Sequence, residues 1–203
     1  EWDDAVHLID PFPIPADWRR FRSIDFGFTN PFVCQWWALD ADDRMYLYRE
    51  IYMSGRLVED HARQIVELER GERIEWSVSD HDAEDRATLD HYGVMTGGAW
   101  KEVSPGINAV KQHLRVQEDG KPRLYLMRGV LVEEDTRLRE AKKPTSTLEE
   151  MTGYVWQKSP DGRPVKEAPV KLDDHGMDAM RYAVMSVERS SYHTVSVSAN
   201  PFF

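Results

Sequence analysis

Residues 20–52 are RFRSIDFGFTNPFVCQWWALDADDRMYLYREIY, and this stretch decides the fold. It contains three runs of β-branched and aromatic residues, each long enough for a strand: Arg20–Phe26, Phe32–Leu39 and Met45–Tyr52. Short segments rich in Gly, Asn, Pro and Asp separate the runs, and these residues are typical of turns. The stretch therefore predicts an antiparallel meander of three strands.

The rest of the chain alternates between short apolar runs and segments with helical periodicity. The predicted elements are, in chain order, a helix from Leu57 to Leu68, a strand at Ile74–Ser79, a helix at Glu84–Tyr92, a strand at Trp100–Val103, a helix at Ile107–Val116, a strand at Arg123–Met127, a helix at Val130–Glu140, a hairpin of Tyr154–Gln157 and Val165–Ala168, and a final helix at Asp173–Glu188. Such alternation indicates parallel strands joined by crossovers. We therefore expect an α/β fold in which helices flank a mixed central sheet.

Length and composition bound the class of protein. The chain has 203 residues, of which 41% are hydrophobic, and this is enough for one large globular domain. Its single cysteine, Cys34, excludes an internal disulfide and a cysteine-based zinc site and is typical of a reducing compartment. Gln35 interrupts the longest apolar run, so no membrane span is predicted. The chain begins at Glu1 without a basic-then-apolar leader, and we expect it to be a piece of a longer protein.

The ends of the chain differ in composition from its centre. Pro11, Pro13 and Pro15 fix an extended path near the beginning, so residues 1–18 are interpreted as a linker that docks by its aromatic side chains. Residues 19–189 form the predicted folded domain. Residues 190–203 are interpreted as a polar C-terminal tail with an aromatic end.

Charge is distributed unevenly along the chain, whose formal net charge is -10. Residues 1–100 contain 21 acidic residues against 10 arginines and no lysine, whereas residues 101–171 contain 14 basic and 11 acidic residues. Most of the acids are expected on a solvated surface. The middle of the chain is mildly basic and is the part suited to a polyanion.

Several common catalytic motifs are absent from the sequence. It contains no phosphate-cradling G-x-x-x-x-G-K-[ST], no G-x-G-x-x-G and no G-x-S-x-G, which argues against a nucleotide-binding loop and a serine-hydrolase elbow. Asp25-Phe26-Gly27 matches the metal-binding tripeptide of kinases, but no H-R-D loop accompanies it, so we treat the match as chance.

Three aspartates at the ends of predicted elements are the candidate chemical groups. Asp25 ends the first strand of the meander before Gly27, whose missing side chain permits close approach of backbone or phosphate. Asp80 follows the strand at Ile74–Ser79, at the strand end where α/β sheets usually bind ligands. Asp178 lies on the final helix, on one face with His175 and Tyr182.

Each aspartate also has a purely structural interpretation. Asp25 would cap a turn. Asp80 would belong to an acidic cluster that favours the beginning of the following helix, and Asp178 would form an ordinary surface ion pair with Arg181. The functional interpretation is that the three carboxylates hold two divalent cations about 4 Å apart, which clamp a phosphodiester. Hard cations such as Mg²⁺ prefer these oxygen ligands.

The sequence resembles the C-terminal nuclease domain of the large terminase subunit of tailed bacteriophages, the DNA-packaging motor, which has a ribonuclease H-like fold. The resemblance is carried by residues 18–27 (WRRFRSIDFG), by residues 146–150 (STLEE) with Tyr154 and Trp156, and most specifically by residues 171–183 (KLDDHGMDAMRYA). It covers nearly the whole chain. It implies a metal-dependent endonuclease that cuts double-stranded viral DNA with little sequence preference in the host bacterial cytoplasm during virus assembly.

The resemblance also implies roles for particular residues. Asp25, Asp80 and Asp178 match the three metal ligands, and His175 matches a histidine found near the metals in some members. Asp82 lies two residues beyond Asp80 and is an alternative second ligand. The expected cofactors are two Mg²⁺ or Mn²⁺ ions with substrate bound.

The expected partners follow from the same resemblance. They are double-stranded DNA, the motor ATPase domain of the same parent chain, the portal and the small terminase subunit, with no membrane. Candidate phosphate contacts come from the basic middle of the chain: Arg128, Arg137, Arg139, Lys142, Lys143, Lys158, Arg163 and Lys166.

Three alternatives remain open from the sequence. A junction resolvase or an RNA–DNA hybrid nuclease would use the same fold and the same acids. A restriction-type core would need an acid-x-Lys strand, and its candidate triplet, Glu140-Ala141-Lys142, follows a predicted helix instead of lying on a strand. A docking module without catalysis would explain the proline-aromatic entry and the terminal Pro201-Phe202-Phe203.

Overall fold

The computed structural model describes residues 2–153, 156–158, 164–169 and 173–198, with side chains in 2–151 and 173–189. A seven-stranded sheet with the strand order β1-β7-β4-β3-β2-β5-β6 forms the centre. The strands are β1 Leu8–Ile9, β2 Arg19–Asp25, β3 Phe32–Leu39, β4 Met45–Met53, β5 Trp76–Ser79, β6 Gly97–Gly98 and β7 Leu124–Met127. The helices are α1 Asp4–His7, α2 Val58–Leu68, α3 Ala83–His91, α4 Val103–Leu114, α5 Thr136–Glu140, α6 Thr147–Gly153 and α7 His175–Ser198.

The predicted meander is confirmed. Strands β2, β3 and β4 are antiparallel neighbours, with Asp25 opposite Val33 and Phe32 opposite Met53. A register shift between Trp36 and Trp37 marks an irregularity in the β3–β4 pair. The turn residues between the runs therefore do close two hairpins, as their chemistry indicated.

The parallel strands are also confirmed. Strand β5 pairs in parallel with β2, β6 with β5, β7 with β4, and β1 with β7. Six of the seven strands of this sheet therefore point the same way, and only β3 runs against them. Because the carboxyl ends of β2 and β5 meet at one edge, Asp25 and Asp80 are brought to neighbouring positions.

Two predicted elements differ from the structure. The expected strand at Trp100–Val103 is wrong: the strand is Gly97–Gly98, and Val103 begins α4, whose first turn accommodates Pro105. The expected helix at Val130–Glu140 forms only from Thr136. Before it, residues 130–132 lie along β4, where Glu50 N donates to Val130 O at 2.8 Å and Val132 N donates to Glu50 O at 2.9 Å. Sheet hydrogen bonds thus replace helical ones there.

A short strand before the meander joins the central sheet, and a hairpin before α7 forms a separate two-stranded sheet. Leu8–Ile9 of the entry segment forms the edge strand β1 beside β7. The predicted hairpin is present as β8 Trp156–Lys158 paired antiparallel with β9 Pro164–Pro169, whereas its turn, residues 159–163, lies outside the described residues. Among the described residues, no helix has the length and apolar character needed to cross a bilayer.

Helices cover both faces of the sheet. One apolar core joins Ile24, Cys34 and Trp36 to α2 and α3. The other joins Phe21 and Trp37 to α4 and to the apolar stripe of α7. Because side chains alternate along β2, Asp25 points to the same face as Phe21, toward α7.

A pair of adjacent residues in α2 tests the core on the first face. Ile65 is 0% exposed in that core, and Val66 is 46% exposed on the same helix. Ile65→Ala leaves a cavity and should lower the free energy of unfolding by about 2–5 kcal/mol. Val66→Ala should change it by less than about 0.5 kcal/mol. Urea denaturation followed by circular dichroism measures both, and equal losses would show that α2 does not pack as described.

Candidate functional site

The three predicted aspartates lie at one edge of the sheet. Asp25 is the last residue of β2, and Asp80 follows β5 directly, with its backbone N–H donating to Ile24 O at 3.2 Å. Asp178 lies in the first turn of α7, a helix that packs across β2, β3 and β5. The fold therefore brings residues that are up to 153 positions apart to the same region.

Asp25 is enclosed by side chains of α7. Its carboxylate belongs to a residue that is only 6% exposed. His175 Nδ1 lies 3.1 Å from Asp25 Oδ2, and the Tyr182 hydroxyl donates to Asp25 Oδ1 at 3.4 Å. The predicted shared face of α7 is confirmed for His175 and Tyr182. Sequence analysis placed Tyr182 on this face but did not identify it as a partner of Asp25.

Opposing effects set the protonation of Asp25 and His175. Burial raises the pKa of Asp25 above its ordinary value, the hydrogen bond with His175 acts in the opposite direction, and the charge of Asp178 adds to the increase. Burial lowers the pKa of His175, but the hydrogen bond and the negative charge of Asp25 outweigh burial, so this pKa is raised overall.

Asp178 forms the ion pair that its structural interpretation expected. Arg181 Nη2 donates to Asp178 Oδ1 at 2.8 Å. The pair is not an ordinary surface pair, because Arg181 is only 4% exposed and packs against Gly106, where a Cβ would lie 2.5 Å from Arg181 Cγ. Asp178 is therefore held by a fixed cation on its own helix.

Asp80 and Asp82 have different surroundings. Asp80 pairs with the Lys101 ammonium, a contact that sequence analysis did not identify. Asp82 is the N-cap of α3, and its Oδ1 accepts from the backbone N–H groups of Glu84 and Asp85 at 3.1 and 3.0 Å. Asp82 is thus engaged with α3, whereas Asp80 lies beside the end of β2.

The donor set suits a hard divalent cation, although its members are now bound to protein cations. Carboxylate oxygens are the ligands that Mg²⁺ and Mn²⁺ prefer. Within residues 2–151 and 173–189, no three His, Cys, Asp or Glu side chains are grouped closely enough to hold a metal ion in the arrangement described. A cation held by all three aspartates would therefore require a change in the ion pairs that Asp80 forms with Lys101 and Asp178 forms with Arg181.

The loop after Asp25 makes room beside the aspartates. A Cβ at Gly27 would lie 2.6 Å from Asn30 O, so only glycine permits this close approach of backbone, as the sequence indicated. A cleft of about 540 Å³ opens next to this loop, and carboxylates dominate its polar lining. They are contributed by Glu59, Asp80, Asp82, Glu84 and Asp85.

Four of the five candidate phosphate-binding side chains that the structure describes are paired with acids or carbonyls. Arg128 lies 3.3 Å from Asp10, Arg139 pairs with Glu134 and Glu149, and Lys143 lies 3.6 Å from Asp173. Arg137 Nη2 donates to Ser54 O at 2.6 Å. Lys142 is exposed at the end of α5. Arg163 and the side chains of Lys158 and Lys166 lie outside the described residues.

The chain is similar to solved structures of large terminases. A longer large terminase, from a thermophilic bacteriophage, matches with a TM-score of 0.72 and 21% identity, over 92% of this chain and 43% of that one. The nuclease domain of the P22 large terminase matches with a TM-score of 0.65 and 16% identity, over 93% and 91% of the two chains. The large terminase nuclease of thermophilic phage G20c with bound cobalt matches with a TM-score of 0.52 and 14% identity, over 89% and 93%.

These similarities confirm the α/β, ribonuclease H-like fold expected from the sequence. The chain spans less than half the length of the longer large terminase. No protein-family model and no curated protein sequence matches it.

The contact between Asp25 and His175 can be tested in solution. Asp25→Asn removes the negative charge that stabilises protonated His175, so the pKa of His175 should fall. The pair also stabilises the fold below about pH 6.5, and this contribution is lost as the pH rises through the raised pKa of folded His175. NMR titration of the histidine ring signals, assigned with a His175→Gln variant, measures the pKa. Asp119→Asn, an exposed carboxylate elsewhere, is the control, and an equal pKa in both variants would contradict the contact.

Proposed function

We propose that this chain is a metal-dependent endonuclease domain that hydrolyses phosphodiester bonds of double-stranded viral DNA, with little sequence preference, during genome packaging. The observation that carries the proposal is that Asp25, Asp80 and Asp178 all lie at one edge of a sheet with the fold of large terminase nuclease domains. A likeness of fold alone would not be sufficient, because one fold hosts many activities. The acids supply the chemical argument.

In this proposal Asp25, Asp80 and Asp178 hold two Mg²⁺ or Mn²⁺ ions when substrate is bound. Such ions would neutralise the phosphate and lower the pKa of a bound water, which supplies the nucleophile. The cobalt in the G20c nuclease supports divalent metal use by a protein of this fold. Asp82 caps α3, so we assign the second position to Asp80.

His175 is proposed to orient the Asp25 carboxylate and to hold a proton at one of its oxygens. Its Nδ1 is 3.1 Å from Asp25 Oδ2, close enough to hold a proton at that oxygen. Tyr182 supports the other oxygen at 3.4 Å, so the Asp25 carboxylate has a defined orientation before any cation binds. Lys101 offsets the charge of Asp80 in the same state.

Charge indicates the side from which DNA approaches. The cleft beside α2 and α3 is lined by acids and would repel phosphates. Arg139 near the end of α5 is followed by Lys142 and Lys143 in the connection to α6, although acids offset two of these three. We therefore propose weak, salt-sensitive binding of DNA along the α5–α6 side, with Arg128, Arg137, Lys158, Arg163 and Lys166 as further candidate contacts.

The domain arrangement and partners are part of the proposal. Residues 19–189 would be the nuclease domain, residues 1–18 a docking segment whose strand β1 lies against β7, and residues 190–203 a tail that begins within the last part of α7. The match to less than half of the longer large terminase supports a motor ATPase domain in the same parent chain. The portal and the small terminase subunit are proposed as assembly partners in the host bacterial cytoplasm.

The catalytic proposal predicts that Asp25→Asn and Asp178→Asn each abolish plasmid cleavage with Mg²⁺ or Mn²⁺. The loss should exceed the 10–100-fold that removal of a supporting residue typically costs. Gel assays of supercoiled plasmid measure it, and circular dichroism checks that both variants fold. Asp119→Asn is the matched control and should cut normally. Cleavage by both variants at the normal rate would refute the proposal.

Metal binding separates the nuclease from a docking module without catalysis. In a docking module, the pairs Asp80–Lys101 and Asp178–Arg181 would be the permanent partners of the two acids. Calorimetry of the wild-type chain with Mn²⁺ should show binding that Asp25→Asn weakens. Absence of any binding, together with absence of cleavage, would favour the docking module.

The choice of substrate separates this proposal from other nucleases with the same fold. We expect Mn²⁺-dependent cutting of plasmid at many positions, because the site presents no described base-reading element. A four-way junction and an RNA–DNA hybrid of equal length should be cut no faster than plain duplex. Rates measured side by side on the three substrates decide the matter, and a strong preference for the junction or the hybrid would reassign the activity.

A further inference from the structure

The first turn of α7 is capped by a side chain from another helix. A helix begins with backbone N–H groups that have no partner within the helix. Here Glu150 of α6 accepts two of them: Oε1 from Gly176 N at 3.0 Å and Oε2 from Met177 N at 2.8 Å. These two residues lie between His175 and Asp178, so Glu150 is hydrogen-bonded to the backbone of the helical turn that carries both side chains.

Glu150 itself is fixed from the sheet. The Tyr52 hydroxyl of β4 donates to Glu150 Oε1 at 2.6 Å. Glu150 is 2% exposed and Tyr52 is 1% exposed, so water does not compete for these bonds. Because all three partners donate hydrogen bonds to it, the Glu150 carboxylate is held in one orientation.

The beginning of α6 is held in the same way. Glu50 of β4, which is 1% exposed, accepts from Thr147 N at 3.2 Å and from the Thr147 hydroxyl. Gln35 Nε2 then joins the two helices, because it donates to Thr147 Oγ1 at 2.7 Å and to Gly176 O at 2.9 Å. A Cβ at Gly176 would lie 2.9 Å from Thr147 Cα, so the two first turns are in close contact.

Stability alone does not account for this arrangement. Burying two carboxylates costs free energy, and apolar side chains of similar volume would often stabilise the fold as well or better. The carboxylates instead fix the position of the helix, because hydrogen bonds set the height and rotation of a helix more narrowly than apolar packing does. The turn that they fix is the one that presents His175 and Asp178.

We propose that Glu150 is a positioning residue for the candidate metal site: through Gly176 and Met177 it sets α7 so that Asp178 and His175 face Asp25. This inference rests on the proposed function. Displacements of a ligand below 1 Å weaken metal binding and catalysis markedly, and supporting residues of metal sites commonly act in this way.

Glu150→Gln tests the inference with little change of shape. The new NH₂ group replaces one acceptor oxygen, so either Gly176 N or Met177 N loses its partner. Affinity for Mn²⁺, measured by calorimetry without DNA, should fall about 10–100-fold. The kcat for plasmid cleavage should fall, with KM for DNA unchanged. Amide hydrogen exchange, measured without metal, should accelerate at Gly176 and Met177 more than elsewhere in α7.

Two further variants separate positioning from general destabilisation. Glu69→Gln alters another largely buried glutamate, which accepts from Arg22 at 2.7 Å and from Trp36 at 2.6 Å on the opposite face of the sheet. It should lower the free energy of unfolding and leave Mn²⁺ affinity unchanged. Tyr52→Phe removes only the hydroxyl that orients Glu150, and should weaken Mn²⁺ binding less than Glu150→Gln does. If Glu150→Gln fails to fold, Tyr52→Phe and Glu69→Gln carry the comparison.

The outcomes distinguish this inference from the proposed function. If wild type binds Mn²⁺ and cuts plasmid, and the Glu150 and Tyr52 variants bind Mn²⁺ as tightly, the inference is overturned and the nuclease stands. An equal loss of affinity in Glu69→Gln overturns it as well, because the effect would then follow stability. If wild type neither binds Mn²⁺ nor cuts, the proposed function fails and the inference fails with it.

Discussion

The burial of the Asp25 carboxylate is the constraint on which the rest of the site depends. A carboxylate that is 6% exposed needs hydrogen bonds and positive charge nearby, because burial penalises its ionised form. The strands beside β2 cannot provide these partners, because their backbone N–H and C=O groups are already used in sheet pairing. His175 and Tyr182 of α7 provide them instead. Helix α7 must therefore dock closely on the sheet. The side chains of Ala179 and Ala183, both fully buried, are small enough to permit this close contact.

Because side chains alternate along each strand, the two faces of the sheet differ in polarity near the α6–α7 turns. Ile24, Cys34 and Trp36 point to the α2–α3 face and form an apolar core. On the other face, the strand residues near the α6–α7 turns are polar: Ser23, Asp25, Gln35, Glu50 and Tyr52. Buried polar groups must all find partners, so this layer fixes the beginnings of two helices in one arrangement. The apolar cores on both faces stabilise the sheet, and the polar residues near the α6–α7 turns orient the helices that lie upon them.

Local patterns predicted the parts of this structure that local forces determine. Turn residues gave the meander of β2 to β4, and helical spacing placed His175 and Tyr182 on one face of α7. The sequence pattern did not predict strand β6, because this strand consists of Gly97 and Gly98 and its pairing with β5 depends on the backbone alone. The partners of Glu150 and Asp80 were missed for another reason. Tyr52 is 98 residues away from Glu150 along the chain, and only the folded sheet brings them together.

The protein cations beside the aspartates reduce the repulsion between acids that share a small region. Each ion pair offsets repulsion that would otherwise push the carboxylates apart or raise their pKa values. The two pairs are not equivalent. Arg181 is buried against Gly106 and is fixed in place, whereas Lys101 has a partly exposed side chain on a flexible stem. Releasing Asp80 therefore costs less than releasing Asp178. Of the three carboxylates, Asp25 and Asp178 are held in place by partners on α7, and Asp80 is the one that can change its partner most easily.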